Sequence, residues 1–373
     1  MKIAFLEIMP YPYFIGGGKT HIDNLASYLI KKGHEIYVVS SKSNEKKLDY
    51  PEEIKVVNVG LKHRKFKGSL LSYLYRMVFE IFFVLSAGVK LKKIKPDIVN
   101  AQSLITTALP CSIFRIPFVA TVHGIFKLGF SKIWELKNKK TVSKFSFFYE
   151  LIEKFNLKKC RAIVCLGKTT YDYYKKYNNN CFIVPNGINT NAFYNMKLKR
   201  EKDLIFIGRF TEQKGVLNLV EAMNKLEKNK LTLVGEGDLK EEILKRVKNK
   251  KNVEYLGVKS QAEVAKLFNI TRFHVMPSEF EGLPISLLES MACGCIPITT
   301  NVGESGDVIK HGENGFLMVN NTPEGIINAL KLAEKEDLDL ISKNCARTIK
   351  EGYDWNILTD KFIDVYNKSL ERN

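Results

Sequence analysis

"MPSEFEGLPISLLESMACGCIP", Met276 to Pro297, is the stretch from which the rest of the chain is best read. A strand ends near Ser278. Pro284 predicts the first turn of a helix, where a missing N–H costs nothing. Ile285, Leu288 and Ala292 recur on one side of that helix and face a core, and Gly294 can close it. The helix N-terminus therefore follows Glu281 and Gly282. Free backbone N–H groups and the helix dipole favour a phosphate at such a place. Glu289 lies on the same helix with its side chain leaning back toward that end. Two carboxylates beside an anion site do not help to bind the anion. They suit hydroxyl groups, as on a ribose or a hexose. The plain alternative is one surface glutamate before a helix and another on its wet face, and the stretch alone leaves it open.

Upstream, "IGRFTEQKGVLNLVEAM" (Ile207–Met223) repeats the strand-to-helix pattern. Gly208 ends the strand, Arg209 follows it, and Lys214 and Gly215 open a helix. That helix is amphipathic through Val216, Leu219, Val220, Met223 and Leu226. An arginine and a lysine flanking such a turn can close on a diphosphate from two sides. As a solvated pair they would be unremarkable; their position after a strand singles them out.

The same alternation runs along the whole chain. "MKIAFLEIM", "EIYVVS", "IKVVNV", "DIVNA", "FVATVHG", "AIVCLG" and "FIVPNG" read as strands of a first half. "LIFIG", "LTLVG", "VEYLG", "FHVMPS", "IPITT" and "GFLMV" read as strands of a second. Helical stretches between them predict parallel, right-handed β-α-β units. The helix after the first strand carries Ile22, Leu25, Ala26 and Leu29, and Gly33 ends it. A charged stretch, "KLKREKD" (Lys197–Asp203), reads as the linker. The expected fold is α/β with two Rossmann-like domains, residues 1–192 and 193–354, and a last helix, 355–373, packing back on the first. At 373 residues, two cores are the natural reading. Ligands of open parallel sheets bind beyond the carboxyl ends of the strands. Two such domains facing each other would enclose a cleft.

Three glycines in "YFIGGGKTH" (Tyr13–His21) invite a nucleotide-binding motif, and two are excluded. A P-loop needs a glycine where Tyr13 stands, and a dinucleotide fingerprint begun at Gly16 arrives at His21. The seven cysteines, odd in number, and a first strand beginning at Met1 point to a reducing cytoplasm. Cys293 and Cys295 read as small residues packed near a helix end, and no metal site is expected. The net charge of +18 calls for an anionic partner: nucleic acid, an acidic membrane surface or a phosphorylated substrate. "SLLSYLYRMVFEIFFVLSAGV" (Ser69–Val89) carries Arg76 and Glu80, four apart and able to pair. It therefore predicts a buried or interfacial helix, not a membrane span.

Taken together, these motifs resemble the nucleotide-sugar-dependent glycosyltransferases with two facing Rossmann-like domains (the GT-B fold), the retaining group called family 4. The resemblance runs through "VPNGI", "GRFTEQKG", "LVGEGDL", "PSEFEGLPISLLESMACGCIP", "NGFLMV" and the tryptophan-bearing "YDWNILTDKFIDVYNKSL". Glu281 and Glu289 have the family's spacing. The resemblance implies that Arg209 and Lys214 neutralise the donor diphosphate, that Glu289 holds the ribose, and that Glu281 contacts hydroxyls of the transferred sugar. It implies that the N–H groups of Gly282, Leu283 and Ile285 cradle phosphate. Gly235 and Gly237 would let the backbone approach the nucleotide. His123 falls where the family often has a histidine near the reacting sugar, although a satisfied histidine at a strand end is the plain alternative. Gly16, Gly17 and Gly18 become a bare turn near the donor phosphates, and Lys19 a surface residue. The family's proline-glutamate pair is absent from "NVGESGDVI", where Asp307 stands at the glutamate position, and "VCLGKTT" lacks a more usual serine.

The implied reaction transfers a glycosyl group with retention. The acceptor hydroxyl attacks from the leaving-group side and phosphate takes its proton. No metal or other cofactor is expected. A nucleotide-sugar epimerase of similar build is the nearest alternative. A basic nucleic-acid-binding protein is the alternative of another class, but lysines and arginines are spread over nearly every helix, so no nucleic acid is expected. The basic, aromatic runs "LKHRKFKGSLLSYLYRMVFEIFF" and "LKNKKTVSKFSFFYELIEKFNLKK" suit an anionic membrane surface. The plain alternative is an ordinary core helix with solvated lysines, so the expected place is the cytoplasm, with peripheral contact at the inner face of the cell membrane left open, and the hydroxyl acceptor is either lipid-linked or a soluble small sugar or cyclitol.

Overall fold

The computed structural model describes residues 1–8, 17–42, 51–62, 70–125 and 143–371. Gly16, most of "YFIGGGKTH" before it, and the basic stretches 63–68 and 136–142 fall outside the described residues, as do the side chains of Lys19 and Arg76. The chain divides into two compact units, Met1–Pro185 with Leu358–Asn373, and Asn186–Ile357.

The first unit is a seven-stranded sheet of β1 (Lys2–Glu7), β2 (Glu35–Lys42), β3 (Lys55–Lys62), β4 (Ile98–Ala101), β5 (Phe118–Val122), β6 (Ala162–Cys165) and β7 (Cys181–Ile183). Its order is β3-β2-β1-β4-β5-β6-β7, and every pairing is parallel. Its helices are α1 (Gly17–Lys31), α2 (Leu70–Ile94), α3 (Leu109–Phe114), α4 (Ser143–Lys159) and α5 (Lys168–Tyr174). β1, β4 and β5 are buried along their length apart from Lys2, as near-continuous apolar runs in a parallel sheet should be. Ile22, Leu25, Ala26 and Leu29 bury the expected face of α1, and Gly33 stops it with φ +82°.

The second unit has six parallel strands: β8 (Lys202–Ile207), β9 (Leu231–Val234), β10 (Val253–Tyr255), β11 (Thr271–Met276), β12 (Ile296–Thr300) and β13 (Phe316–Met318), in the order β10-β9-β8-β11-β12-β13. Its helices are α6 (Val216–Ala222), α7 (Lys240–Val247), α8 (Gln261–Ile270), α9 (Ile285–Ala292), α10 (Ser305–Val308), α11 (Pro323–Ala333) and α12 (Leu338–Gly352). The last helix, α13 (Trp355–Leu370), begins in the second unit and continues in the first. Both sheets reverse their strand order beside the first strand, the doubly wound Rossmann pattern, so each has a switch point: β1/β4 and β8/β11.

Three local details differ from the sequence reading. α6 stops at Ala222, short of Met223 and Leu226, because Asn224 and Lys225 bond back three residues to Glu221 and Ala222 and tighten the turn; both apolar side chains are still buried. Pro284 is the N-cap of α9, not a residue of its first turn, with ψ 124°, and Ile285 is only half-buried. The units part at Pro185/Asn186, ahead of the charged linker. Asn186 already donates to the Leu283 carbonyl (3.0 Å), and Ile188 donates to Tyr353 (2.8 Å) and accepts from Trp355 (3.2 Å). A Cβ on Gly187 would lie 2.6 Å from the Trp355 ring, so "VPNGI" and the tryptophan motif pack on each other.

α2 is 25 residues long, yet among the described residues no helix is long and apolar enough to cross a membrane. Glu80 accepts the Tyr149 hydroxyl of α4 at 3.2 and 3.3 Å.

Candidate active site

In the second unit the site grows from the two loops at its switch point. After β8 the chain passes Gly208 and the exposed Arg209, makes a 3₁₀ turn over Glu212–Lys214, and enters α6. Gly215 takes φ +64°, and a Cβ there would strike the Pro277 carbonyl. The glycine therefore lets α6 begin directly against the β11–α9 loop. Three further contacts join the loops. Glu279 N–H donates to Gln213 O (2.8 Å), Gln213 Nε2 donates to Phe280 O (3.0 Å), and Lys214 Nζ meets Glu281 Oε1 at 2.5 Å. Ser278 Oγ also donates to Glu281 Oε1 (2.8 Å). Lys214 and Glu281, expected to meet different parts of a ligand, thus hold each other. Ser278 was not singled out by sequence reasoning, although its position at a strand end was a signal. Arg209 has no ion-pair partner among the described residues.

The N–H groups of Gly282, Leu283 and Ile285 reach no acceptor among the described residues. This follows from α9 being opened by Pro284 with no side-chain cap. The site thus sets unpaired donors at a helix N-terminus next to a lysine, a combination that fits an anion. The following loop closes on it from the other side, with Glu304 N–H donating to Gly282 O (3.0 Å). Glu289 is half-buried on α9, its carboxyl accepts no hydrogen bond among the described residues, and it is pushed up to about 7 by desolvation. A carboxyl that gives up hydration without a protein donor is suited to receive hydroxyls.

Gly235 and Gly237 bring the loop after β9 against the backbone of the loop after β8. Gly235 has φ +127°, and a Cβ on it would clash with the Gly208 carbonyl; one on Gly237 would clash with the backbone of Phe210. The bonds Gly208 N–Val234 O (3.1 Å) and Phe210 N–Glu236 O (2.8 Å) lock the two loops together. The space a side chain would need is filled by protein backbone, so these glycines shape the loop that carries Arg209. Cys293 and Cys295 are buried thiols packed at and beyond the end of α9, pushed up by burial, Cys293 to about 12.

In the first unit Gly17 and Gly18 form the first turn of α1, not a bare turn before it. His123 follows β5, half-buried, with burial lowering it to about 4. His21 of α1 packs edge-on against it at 5.2 Å. A chain of neutral groups stands behind the ring. Gln102 Oε1 lies 2.9 Å from His123 Nε2, and Gln102 Nε2 donates to Asn100 Oδ1 (3.0 Å). Asn100 also accepts from Thr121 (2.9 Å) and donates to the Tyr366 hydroxyl of α13 (2.7 Å). Because the Gln102 amide nitrogen is engaged by Asn100, its oxygen faces the ring. The Nε2 of His123 then carries the proton and Nδ1 keeps its lone pair. Asn100, Gln102 and Tyr366 went unnoticed in the sequence: amides and tyrosines after strands carry no signal until α13 is known to lie beside them.

Comparison with known proteins follows the same division. Residues 15–192 match the model of Glycosyltransferase Family 4, and residues 189–355 that of Glycosyl transferases group 1. An uncharacterized glycosyltransferase of Methanocaldococcus jannaschii is 30% identical over 366 residues, covering 95% of this chain and 95% of that one. The UDP-Gal:alpha-D-GlcNAc-diphosphoundecaprenol alpha-1,3-galactosyltransferase of Escherichia coli is 27% identical over 307 residues, covering 74% of this chain and 76% of its own. Among solved structures, sucrose-phosphate synthase from Thermosynechococcus elongatus superimposes with a TM-score of 0.83 at 16% identity over 100% of both chains, which marks the fold as GT-B.

Proposed function

We propose that this chain, which belongs to glycosyltransferase family 4 and is by that membership a hexosyltransferase, takes its sugar from a nucleoside-diphosphate donor and passes it to a hydroxyl acceptor with retained anomeric configuration. One observation carries the reading: Lys214 lies beside the unpaired N–H groups of Gly282, Leu283 and Ile285, at the switch point where Rossmann sheets bind nucleotides. The donor named for the Escherichia coli relative, a uridine diphosphate sugar, is of the class such a site would take.

In this reading the diphosphate draws Lys214 away from Glu281. Arg209, exposed on the neighbouring loop, joins it, and the α9 N–H groups complete the cradle. As the bond from the anomeric carbon to the phosphate oxygen breaks, negative charge grows on the diphosphate, and these fixed donors stabilise it. Glu281, released from Lys214 and still bonded to Ser278, turns to hydroxyls of the sugar. Glu289 receives the ribose. The acceptor hydroxyl attacks from the face the diphosphate leaves, forming the new glycosidic bond, and its proton passes to the departing phosphate. Two cations match the charge of a diphosphate, so transfer needs no metal and persists in a chelator. On the first unit, His123 offers Nδ1 as an acceptor to a sugar hydroxyl, with Gly17 and Gly18 at the head of a neighbouring helix. The acceptor is a lipid-linked hydroxyl compound, as in the name of the Escherichia coli relative, and the protein works at the cytoplasmic surface of the membrane.

A panel of nucleotide sugars, followed by release of nucleoside diphosphate with and without lipid-linked acceptors, tests the proposal. Acceptor-dependent release from one donor is expected, with the product linkage retaining the donor's anomeric configuration by proton coupling. No release from any donor with any acceptor, or an inverted product, would overturn it.

A further inference from the structure

Parallel-sheet units usually hide the apolar faces of their helices, and in the first unit two helices do not. On α2, Met77, Ile81, Phe82 and Leu85 are about half exposed, between 49% and 51%. They occupy one side of the helix, while Phe79, Phe83, Ala87 and Leu91 bury the other. On α4, Phe147 (63% exposed), Phe148, Leu151 and Phe155 form a second such strip, opposite the buried Glu153, Asn156 and Leu157. The two helices are joined by the hydrogen bond from Tyr149 to Glu80, and α3 packs against both. The strips thus lie on the outer sides of two linked helices, and exposed apolar side chains gathered in this way mark an interaction surface.

The charges at its margin select the partner. Both helices end in exposed lysine pairs, Lys92 and Lys93 on α2, Lys158 and Lys159 on α4, with exposed Lys90 and Lys154 beside them. Of the acids of these helices, Glu80 is tied to Tyr149, Glu153 is buried against the Tyr174 hydroxyl at 2.8 Å, and the half-buried Glu150 is outnumbered by the six exposed lysines. A second copy of this chain would bring lysines against lysines on a protein of net charge +18. An anionic lipid surface offers apolar depth to the aromatic strips and negative headgroups to the lysines that rim them.

We propose that the shared face of α2 and α4 docks on an anionic bilayer, with Phe82, Leu85, Phe147 and Phe148 entering the headgroup–acyl boundary and the lysine pairs resting on the phosphates. The inference is independent of the donor reading: vesicle binding and nucleotide release are separate measurements, and either can fail alone.

The whole protein is sedimented with vesicles of phosphatidylcholine alone or mixed with phosphatidylglycerol, at low and high salt. Binding is expected only to the mixed vesicles and is released by salt. The variant Phe82→Ser/Leu85→Ser/Phe148→Ser should bind at least about tenfold more weakly. The variant Lys92→Gln/Lys93→Gln/Lys158→Gln/Lys159→Gln should lose the preference for phosphatidylglycerol. Both substitute exposed side chains and should keep the parent's thermal midpoint, which checks their folding. Three results would overturn the proposal: no sedimentation of the parent with mixed vesicles at low salt, undiminished binding by the serine variant, or a dimer of the parent in light scattering that the serine variant dissolves.

Discussion

The two switch points have the same topology and different side chains. Beside β8 and β11 the loops carry Arg209, Lys214 and Glu281, α9 carries Glu289, and an ion pair joins Lys214 to Glu281. Beside β1 and β4, with β5 next to them, Glu7 ends β1 as a buried carboxylate, and the hydrogen-bonded chain is of uncharged groups: Asn100, Gln102, Thr121, Tyr366 and a histidine kept uncharged by burial. Topology decides where a ligand can sit. The side chains then decide what kind of ligand each place suits.

The comparison is most directly broken at the charged side. Arg209→Ala and Lys214→Ala should each lower transfer by about a hundredfold or more, as loss of a transition-state donor does. Their thermal midpoints should stay near the parent's. Steady-state rates within a few-fold of the parent would remove both residues from the chemistry. The next effect is on stability, and it concerns a second buried histidine. His274, inside β11, has no hydrogen-bond partner on either ring nitrogen among the described residues, packs on Phe268, and is lowered to about 3 by burial, with Lys214 adding to the shift. Its folded value lies below the unfolded 6.5, so the unfolded chain binds more protons between the two and stability falls as pH drops below about 6.5. By pH 5 the loss from this group should be about 2 kcal/mol. Denaturant titrations should find a shallower acid decline in His274→Leu; an unchanged slope would refute the assignment.

Smaller effects sharpen the contrast. Glu289→Gln should weaken nucleoside diphosphate binding by about tenfold, the worth of one hydrogen bond to a charged group. Glu281→Gln should change it less, since it also frees Lys214 for the diphosphate. Calorimetry on the two variants decides the order, and equal affinities would detach Glu289 from the ribose. On the neutral side, Gln102→Glu sets a carboxylate against His123 Nε2. It should raise the His123 midpoint from about 4 by about two units, because an adjacent negative charge favours the imidazolium. Nuclear magnetic resonance titration of labelled histidines reads this, and a stationary midpoint would show that the Gln102 contact does not govern the ring.

Much of this molecule was legible in its local pattern. Each strand is an apolar run ended by glycine, proline or a polar residue, and each helix a period of buried positions. Both depend on neighbours a few residues away, so the thirteen strands and their division into seven and six could be read directly. The placement of Arg209, Lys214 and Glu281 at strand ends and helix starts, and of Glu289 on the helix that follows, was legible for the same reason. What the pattern could not contain is partnership at a distance. Lys214 and Glu281 are 67 residues apart, and Asn100 and Tyr366 are 266 apart. Gly235 needs its conformation because of the Gly208 carbonyl, which no sequence rule places there. Nor does a string such as "MVFEIFFVL" state which of its apolar residues stay in water. Burial belongs to what packs against a helix, and only the tertiary structure, by covering one side of α2 and leaving the other open, decided that.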